Sequence, residues 1–227
     1  MKLKFIKNYL NRIVAKQLRR PNGFLAGRVG REMNKTNGFL YDFTIKEMQV
    51  ADHEEILEIG FGNGIFFEKI FSAAKDVTIS GLDFSPEMVK AAAANNPLTS
   101  NNGKLTLRLG SSDKIPFPDN SFDKVFCINV IYFWEEPAAH LQEICRVLKP
   151  GGRLYTSIRM AESLVQMPFT KYGFNVYRQE EWVSLLEANG LHFVQATKTL
   201  NEPDAEFDEQ SIKVESLCIV AEKRKLQ

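Results

Sequence analysis

Early in the chain the apolar residues recur every three to four positions; from Glu55 onward they gather into short runs separated by helical stretches. Over residues 3–18, Leu3, Ile6, Leu10, Ile13, Val14 and Leu18 share one helical face, with Lys4, Arg12, Lys16 and Arg19 opposite. That spacing predicts an amphipathic helix, closed by Pro21-Asn22-Gly23. Gly23, Gly27 and Gly30 punctuate the next segment, and a second helix is expected through Phe39–Met48. Beyond it, strands are predicted at Ile56–Ile59, Val77–Leu82, Lys104–Leu109, Phe122–Asn129 and Arg153–Ile158. Helices alternate with them, one opened by Ser85 as N-cap with Pro86 behind it, another over Pro137–Leu148. Val125-Phe126-Cys127-Ile128 reads as a strand buried on both faces. Residues 159–177 show no clear period. A helix at Gln179–Asn189, a strand at Leu191–Thr197, an acidic loop over 201–209 and a last strand at Val214–Ala221 complete the chain.

Strand–helix alternation argues an α/β fold: a Rossmann-like, seven-stranded, mostly parallel sheet with helices on both faces. The last two strands, joined only by a loop, imply an antiparallel hairpin and so one antiparallel edge strand. Residues 1–50 then form an N-terminal helical extension and residues 51–227 the main domain.

Composition changes this picture in one respect. The net charge is only +1, yet residues 1–35 hold ten Lys or Arg against the single acidic Glu32. A basic arm therefore sits on a mildly acidic body. It reads as a helix packed on the body with a solvated basic side; contact with a membrane surface or polyanion, and a lid over a binding site, are the other readings. Three scattered cysteines, Cys127, Cys145 and Cys218, lie inside apolar runs, which favours reduced thiols and a cytoplasmic setting. No run is long enough to span a bilayer, and no carboxylate or cysteine cluster suggests a metal.

Ligands of open α/β sheets bind beyond the carboxyl ends of the strands. Those ends supply Gly60, Gly62 and Gly64, then Asp83, then Ser111, Ser112 and Asp113, then Asn129. Asp83, 21 residues beyond Gly62, suits a ribose, so a nucleoside is favoured. The third small residue of a dinucleotide fingerprint is missing, since Ile65 or Phe67 stands there. Glu58, just ahead of the glycines, repels a pyrophosphate and attracts an ammonium or sulfonium. A cationic nucleoside without phosphates describes S-adenosylmethionine.

Four blocks carry a resemblance: Leu57-Glu58-Ile59-Gly60-Phe61-Gly62-Asn63-Gly64, Gly81-Leu82-Asp83-Phe84-Ser85-Pro86-Glu87-Met88, Ile115–Asp123 and Glu143–Gly152. In this order they resemble the class I S-adenosylmethionine-dependent methyltransferases, in the small-molecule branch related to the ubiquinone/menaquinone C-methyltransferases. The resemblance covers about residues 50–200. It implies that the Gly60–Gly64 turn and Glu58 meet the methionine portion, that Asp83 binds the ribose, and that Phe84 flanks the adenine. The family often has an Asp for the adenine amine where this chain has Gly110-Ser111-Ser112; Ser111 or Asp113 is then the substitute. Asn129 is expected near the amino acid end or the sulfonium.

Methyl transfer needs alignment more than acid–base chemistry, and no catalytic residue is legible beyond Tyr132 as a weak candidate. Tyr132, Phe133 and Trp134 read either as core aromatics or as a wall of the acceptor pocket. His53, His140 and His192 read as structural or solvent-facing. A small-molecule acceptor is expected, with nucleic acid disfavoured because the basic excess is confined to the arm and the body is acidic. An RNA-associated protein using that arm, and a cofactor-binding scaffold without turnover, are the alternatives.

Overall fold

The computed structural model describes residues 2–23, 26–97, 99, 102–207 and 210–225. Helices α1 (Lys2–Arg19) and α2 (Ala26–Met48) lead into β1 (Glu55–Ile59), α3 (Phe67–Phe71), β2 (Thr78–Asp83), α4 (Pro86–Asn95), β3 (Leu105–Leu109) and β4 (Phe122–Ile128). There follow α5 (Pro137–Val147), β5 (Leu148–Arg159), α6 (Ala161–Leu164), α7 (Gln179–Ala188), β6 (Leu191–Lys198), the short pair β7 (Ala205–Phe207) and β8 (Gln210–Ile212), and β9 (Ser216–Lys223). The seven-stranded sheet runs β3-β2-β1-β4-β5-β9-β6. Neighbours are parallel from β3 to β5, while β9 is antiparallel to both β5 and β6. The expected hairpin thus closes one side of the sheet, with its later strand inside and β6 at the edge.

Both sheet faces are covered, and the alternation along the central strands shows how. Leu57, Ile59, Val125 and Cys127 join a core with Leu141, Ile144 and Trp182 from α5 and α7. Ile56, Phe126 and Ile128 point the other way, into a core with Leu40, Met48, Phe67 and Ile70. Strand period therefore turns Glu58, two residues after Ile56, toward the face that α2 covers.

Three elements depart from the sequence-based expectation. Helix α2 begins near Ala26 and runs through Gly27, Gly30 and Gly38, residues whose low helix propensity argues for breaks. Packing overrides that tendency: a Cβ on Gly30 would lie 3.4 Å from Asn63 Nδ2, so the small residue lets α2 lie close over the glycine turn. Lys149-Pro150-Gly151-Gly152 lies within β5 as an excursion, because Leu148 pairs with Phe122 and Arg153 with Lys124. The acidic segment after β6 forms the small β7–β8 pair, although residues 208 and 209 of the expected loop lie outside the described residues.

Helix α1 forms as expected but faces the reverse of the leading expectation. Arg12 stacks over the Tyr172 ring at 5.3 Å and Arg19 bonds Glu135 at 2.7 Å, while Ile6, Leu10 and Val14 are exposed. The body offers a ring and a carboxylate to this helix, and only Ala15 is fully buried along its described side chains.

Candidate active site

Strand order reverses between β1 and β4, and a cavity of about 340 Å³ opens beyond their carboxyl ends. Its floor is the turn after β1. Gly60 has φ +76°, and a Cβ there would stand 2.4 Å from Val130 Cγ2; Gly62, at φ +58°, has nothing within 4 Å of a notional Cβ. The first glycine is demanded by the neighbouring strand end, whereas the second faces space a ligand can use.

Asp83, at the end of β2, holds this turn in place. One carboxylate oxygen accepts from Gly62 N at 2.9 Å and the other from Ser85 N at 2.9 Å. Each oxygen keeps a lone pair for a further donor, which is what a ribose diol requires. Burial raises the Asp83 pKa to about 6 against those two bonds. Ser85 caps α4 as expected, and its hydroxyl also donates to Pro21 O at 2.7 Å, tying the chain after α1 to the site.

Glu58 is buried behind the cavity lining, and the Tyr41 hydroxyl of α2, which does line the cavity, donates to its carboxylate. Desolvation lifts the Glu58 pKa to about 8, with Asp83 adding to the rise and the Tyr41 bond opposing it. Burial likewise pushes the Tyr41 hydroxyl well above its ordinary value. Burial thus favours the neutral form of both groups, with a carboxylate available to a cation that enters the cavity.

At the end of β4, Asn129 adopts φ +57° and bonds in two directions. Its Nδ2 donates to Asn37 Oδ1 at 3.1 Å, and its Oδ1 accepts from the Tyr132 hydroxyl at 3.1 Å. Tyr132 is buried away from the cavity, its ring against Phe133 and Phe174, and its hydroxyl accepts from Arg159 N. Its pKa is raised by burial, which removes it from acid–base work and leaves it as a support for Asn129.

Of the sequence-predicted residues, Gly60, Gly62, Asp83, Phe84, Ser111, Ser112, Asp113 and Asn129 line the cavity. Glu58, Gly64 and Tyr132 stand behind it. His140, read from the sequence as structural or solvent-facing, lines the cavity: its Nδ1 shares a hydrogen bond with Ser112 Oγ at 2.7 Å. The ring stacks on Trp134 at 4.5 Å and 5°, and desolvation lowers its pKa although Asp113 opposes this. A lid over a binding site is one expected role of the N-terminal arm, and the helix around Tyr41 is a candidate for the acceptor pocket; the sequence does not name the other residues of the cavity roof. Met33, Asn34, Asn37 and Tyr41 of α2 and Leu18 and Arg19 of α1 close over the strand ends. The α2 residues recur at helical spacing, a signal obscured by the glycines at 27, 30 and 38.

A model described as a methyltransferase domain matches residues 57–156. YdaC of Bacillus subtilis (strain 168), an uncharacterized methyltransferase, is 30% identical over 139 residues, which is 61% of this chain and 73% of that protein. The ubiquinone/menaquinone biosynthesis C-methyltransferase UbiE of Geotalea daltonii is 33% identical over 113 residues; the match spans 49% of this chain and 48% of that relative. Among solved structures, the complex between the Haloferax volcanii Trm112 methyltransferase activator and a methyltransferase aligns at TM-score 0.76 and 22% identity, covering 88% of this chain and 96% of the other. The [4+2]-cyclase SpnF aligns at TM-score 0.68 and 17% identity over 82% of this chain and 81% of its own, so the fold alone does not fix a reaction. Together with the glycine turn, the sequence matches establish that this chain belongs to the S-adenosylmethionine-dependent methyltransferase family.

Proposed function

We propose that the protein transfers the methyl group of S-adenosylmethionine to a small-molecule acceptor, apolar or aromatic in character. The observation that carries this reading is Asp83, which braces the Gly62 turn through one oxygen and still has lone pairs turned to a cavity without Lys or a Gly-Lys-Ser phosphate loop among its described lining residues. In this reading Asp83 receives the ribose hydroxyls, Phe84 flanks the adenine and Ser111–Asp113 frame its edge. Gly60, Gly62 and Asn129 meet the amino acid end, and Glu58 acts through Tyr41. When bound, S-adenosylmethionine supplies an electrophilic methyl on a good, neutral leaving group.

The chain's own contribution is then positioning and exclusion of water. Helices α1 and α2 cover the strand ends, and Asn129 is held by Asn37 on one side and Tyr132 on the other. On the α2 side the described lining residues are Gly30, Met33, Asn34, Asn37 and Tyr41, with Phe66 stacked on Tyr41, and none of them is a carboxylate. Such a wall suits a flat, uncharged acceptor, and its aromatic rings suit a nearby sulfonium. The match to a quinone-biosynthesis C-methyltransferase is compatible with an acceptor of that size and polarity.

Transfer of labelled methyl from S-adenosylmethionine into a small-molecule fraction of a cell extract, with the product identified by mass, tests the assignment. Label entering only RNA or protein would overturn the acceptor class. Stabilisation by NAD and not by S-adenosylmethionine or its demethylated product would overturn the cofactor.

A further inference from the structure

Helix α1 turns one side to the body and, among its described side chains, leaves the opposite side without cover. Arg12 over Tyr172, buried Ala15, Leu18 at the cavity and Arg19 on Glu135 define the inner side. Half a turn away, Ile6, Tyr9, Leu10 and Val14 are 55%, 60%, 54% and 41% exposed, with Ile13 half-buried among them. Positions 6, 10 and 14 stack at intervals of four, and 9 and 13 lie beside them, so the side chains make one stripe and not scattered exposures. Isolated exposed apolar residues are ordinary; a continuous stripe of this kind marks a surface that is covered in use.

The charge around the stripe says what covers it. Helix α1 contains six Lys or Arg and no Asp or Glu. Lys16 is exposed beside the stripe, and Arg28 and Arg31 are exposed at the start of α2. We propose that this face docks on an anionic lipid bilayer, with Ile6, Tyr9, Leu10 and Val14 in the headgroup–acyl boundary and the cations at the lipid phosphates. A second copy of the chain would bring two acid-free basic helices together. A nucleic acid would satisfy the cations and leave the apolar stripe in water. Of these three, the anionic membrane surface is the one that meets both features at once. Leu18 and Arg19 of the same helix line the cavity, so the docking face and the site share one element. The inference stands independently of which acceptor is methylated.

Sedimentation of the full chain with phosphatidylcholine vesicles, with and without about 30% phosphatidylglycerol, tests it. Partition at least about tenfold stronger onto the anionic vesicles is expected, and L10E/V14E should reduce it by at least about tenfold. Neither residue lines the cavity, so the melting temperature and the affinity for S-adenosylhomocysteine should stay unchanged in that variant. Should L10E/V14E fold poorly, Lys16→Glu carries the test, with a smaller loss expected from the charge alone. Equal binding to neutral vesicles, or binding that survives these substitutions, would overturn the proposal. So would a dimer that L10E/V14E dissolves while vesicles bind nothing, or binding confined to a single-stranded RNA probe.

Discussion

Glu58, Tyr41 and Asp83 form a buried acidic group whose protonation is linked both to folding and to cation binding. The Glu58 pKa is about 8 in the folded chain against an ordinary 4.5, so the folded state holds a proton that the unfolded state releases. Its contribution to stability is therefore complete below about pH 4.5 and is lost as the pH rises through about 8. Asp83 acts in the same sense up to about pH 6. The ligand-free protein should accordingly melt at lower temperature as pH is raised from about 5.5 to about 8.5, the interval that brackets these two pKa values. Glu58→Gln should flatten that slope, and a slope unchanged in the variant would place its origin elsewhere. A cationic ligand favours the Glu58 carboxylate, so S-adenosylmethionine affinity in calorimetry should rise with pH across the same interval, with proton release. Asp83→Ala should weaken binding of S-adenosylhomocysteine by about 1–3 kcal/mol, the cost of removing charge-assisted bonds. Undiminished affinity would mean that the ribose is held by other groups.

At the level of elements, the Gly60 turn and α1 make different demands. Gly60→Ala adds a Cβ that collides with Val130 and also strains a φ of +76°. A loss of about 1–3 kcal/mol in urea unfolding is expected. Gly60→Ala/Val130→Ala should recover the part due to collision and leave the backbone part; full recovery would show that φ costs nothing here. Helix α1 is fastened near the cavity by Arg19–Glu135, an exposed pair, and by Arg20 over the Phe84 ring at 5.5 Å. Glu135→Ala should change stability by less than about 1 kcal/mol, because exposed pairs contribute little. It should nevertheless speed release of S-adenosylhomocysteine in stopped flow, since the roof loses a fastening. An unaltered rate would show that α1 does not gate the site.

Over the whole molecule, Arg159 joins parts of the chain that are distant in sequence. Its guanidinium donates to Thr36 O of α2 at 2.9 Å and to Ser216 Oγ of β9 at 3.1 Å, and pairs with the buried Glu202. Burial lowers its pKa, and these partners are what the desolvated guanidinium has in place of water. Arg159→Ala should cost about 3–5 kcal/mol in urea unfolding by stranding Glu202. Arg159→Met/Glu202→Leu should be far milder, and equal loss in both variants would show that packing and not charge is at stake.

The chain by itself determined the order of its elements, the two-sided burial of β4, the Ser85 cap, the glycine turn and Asp83. Each is encoded within a few residues, as a period, a cap or a glycine between strand and helix. Tertiary structure alone decided that α2 extends through its glycines, that α1 shows its apolar side outward, and that Tyr132 stands behind the cavity. It also brought Tyr41 to Glu58, His140 to Ser112 and Arg19 to Glu135, partners 17, 28 and 116 residues apart. Such pairings depend on which faces meet when the layers pack, and no local period carries that information. The cofactor end of the site was therefore legible from strand ends, while its roof came from helices that only the packed fold brings over it.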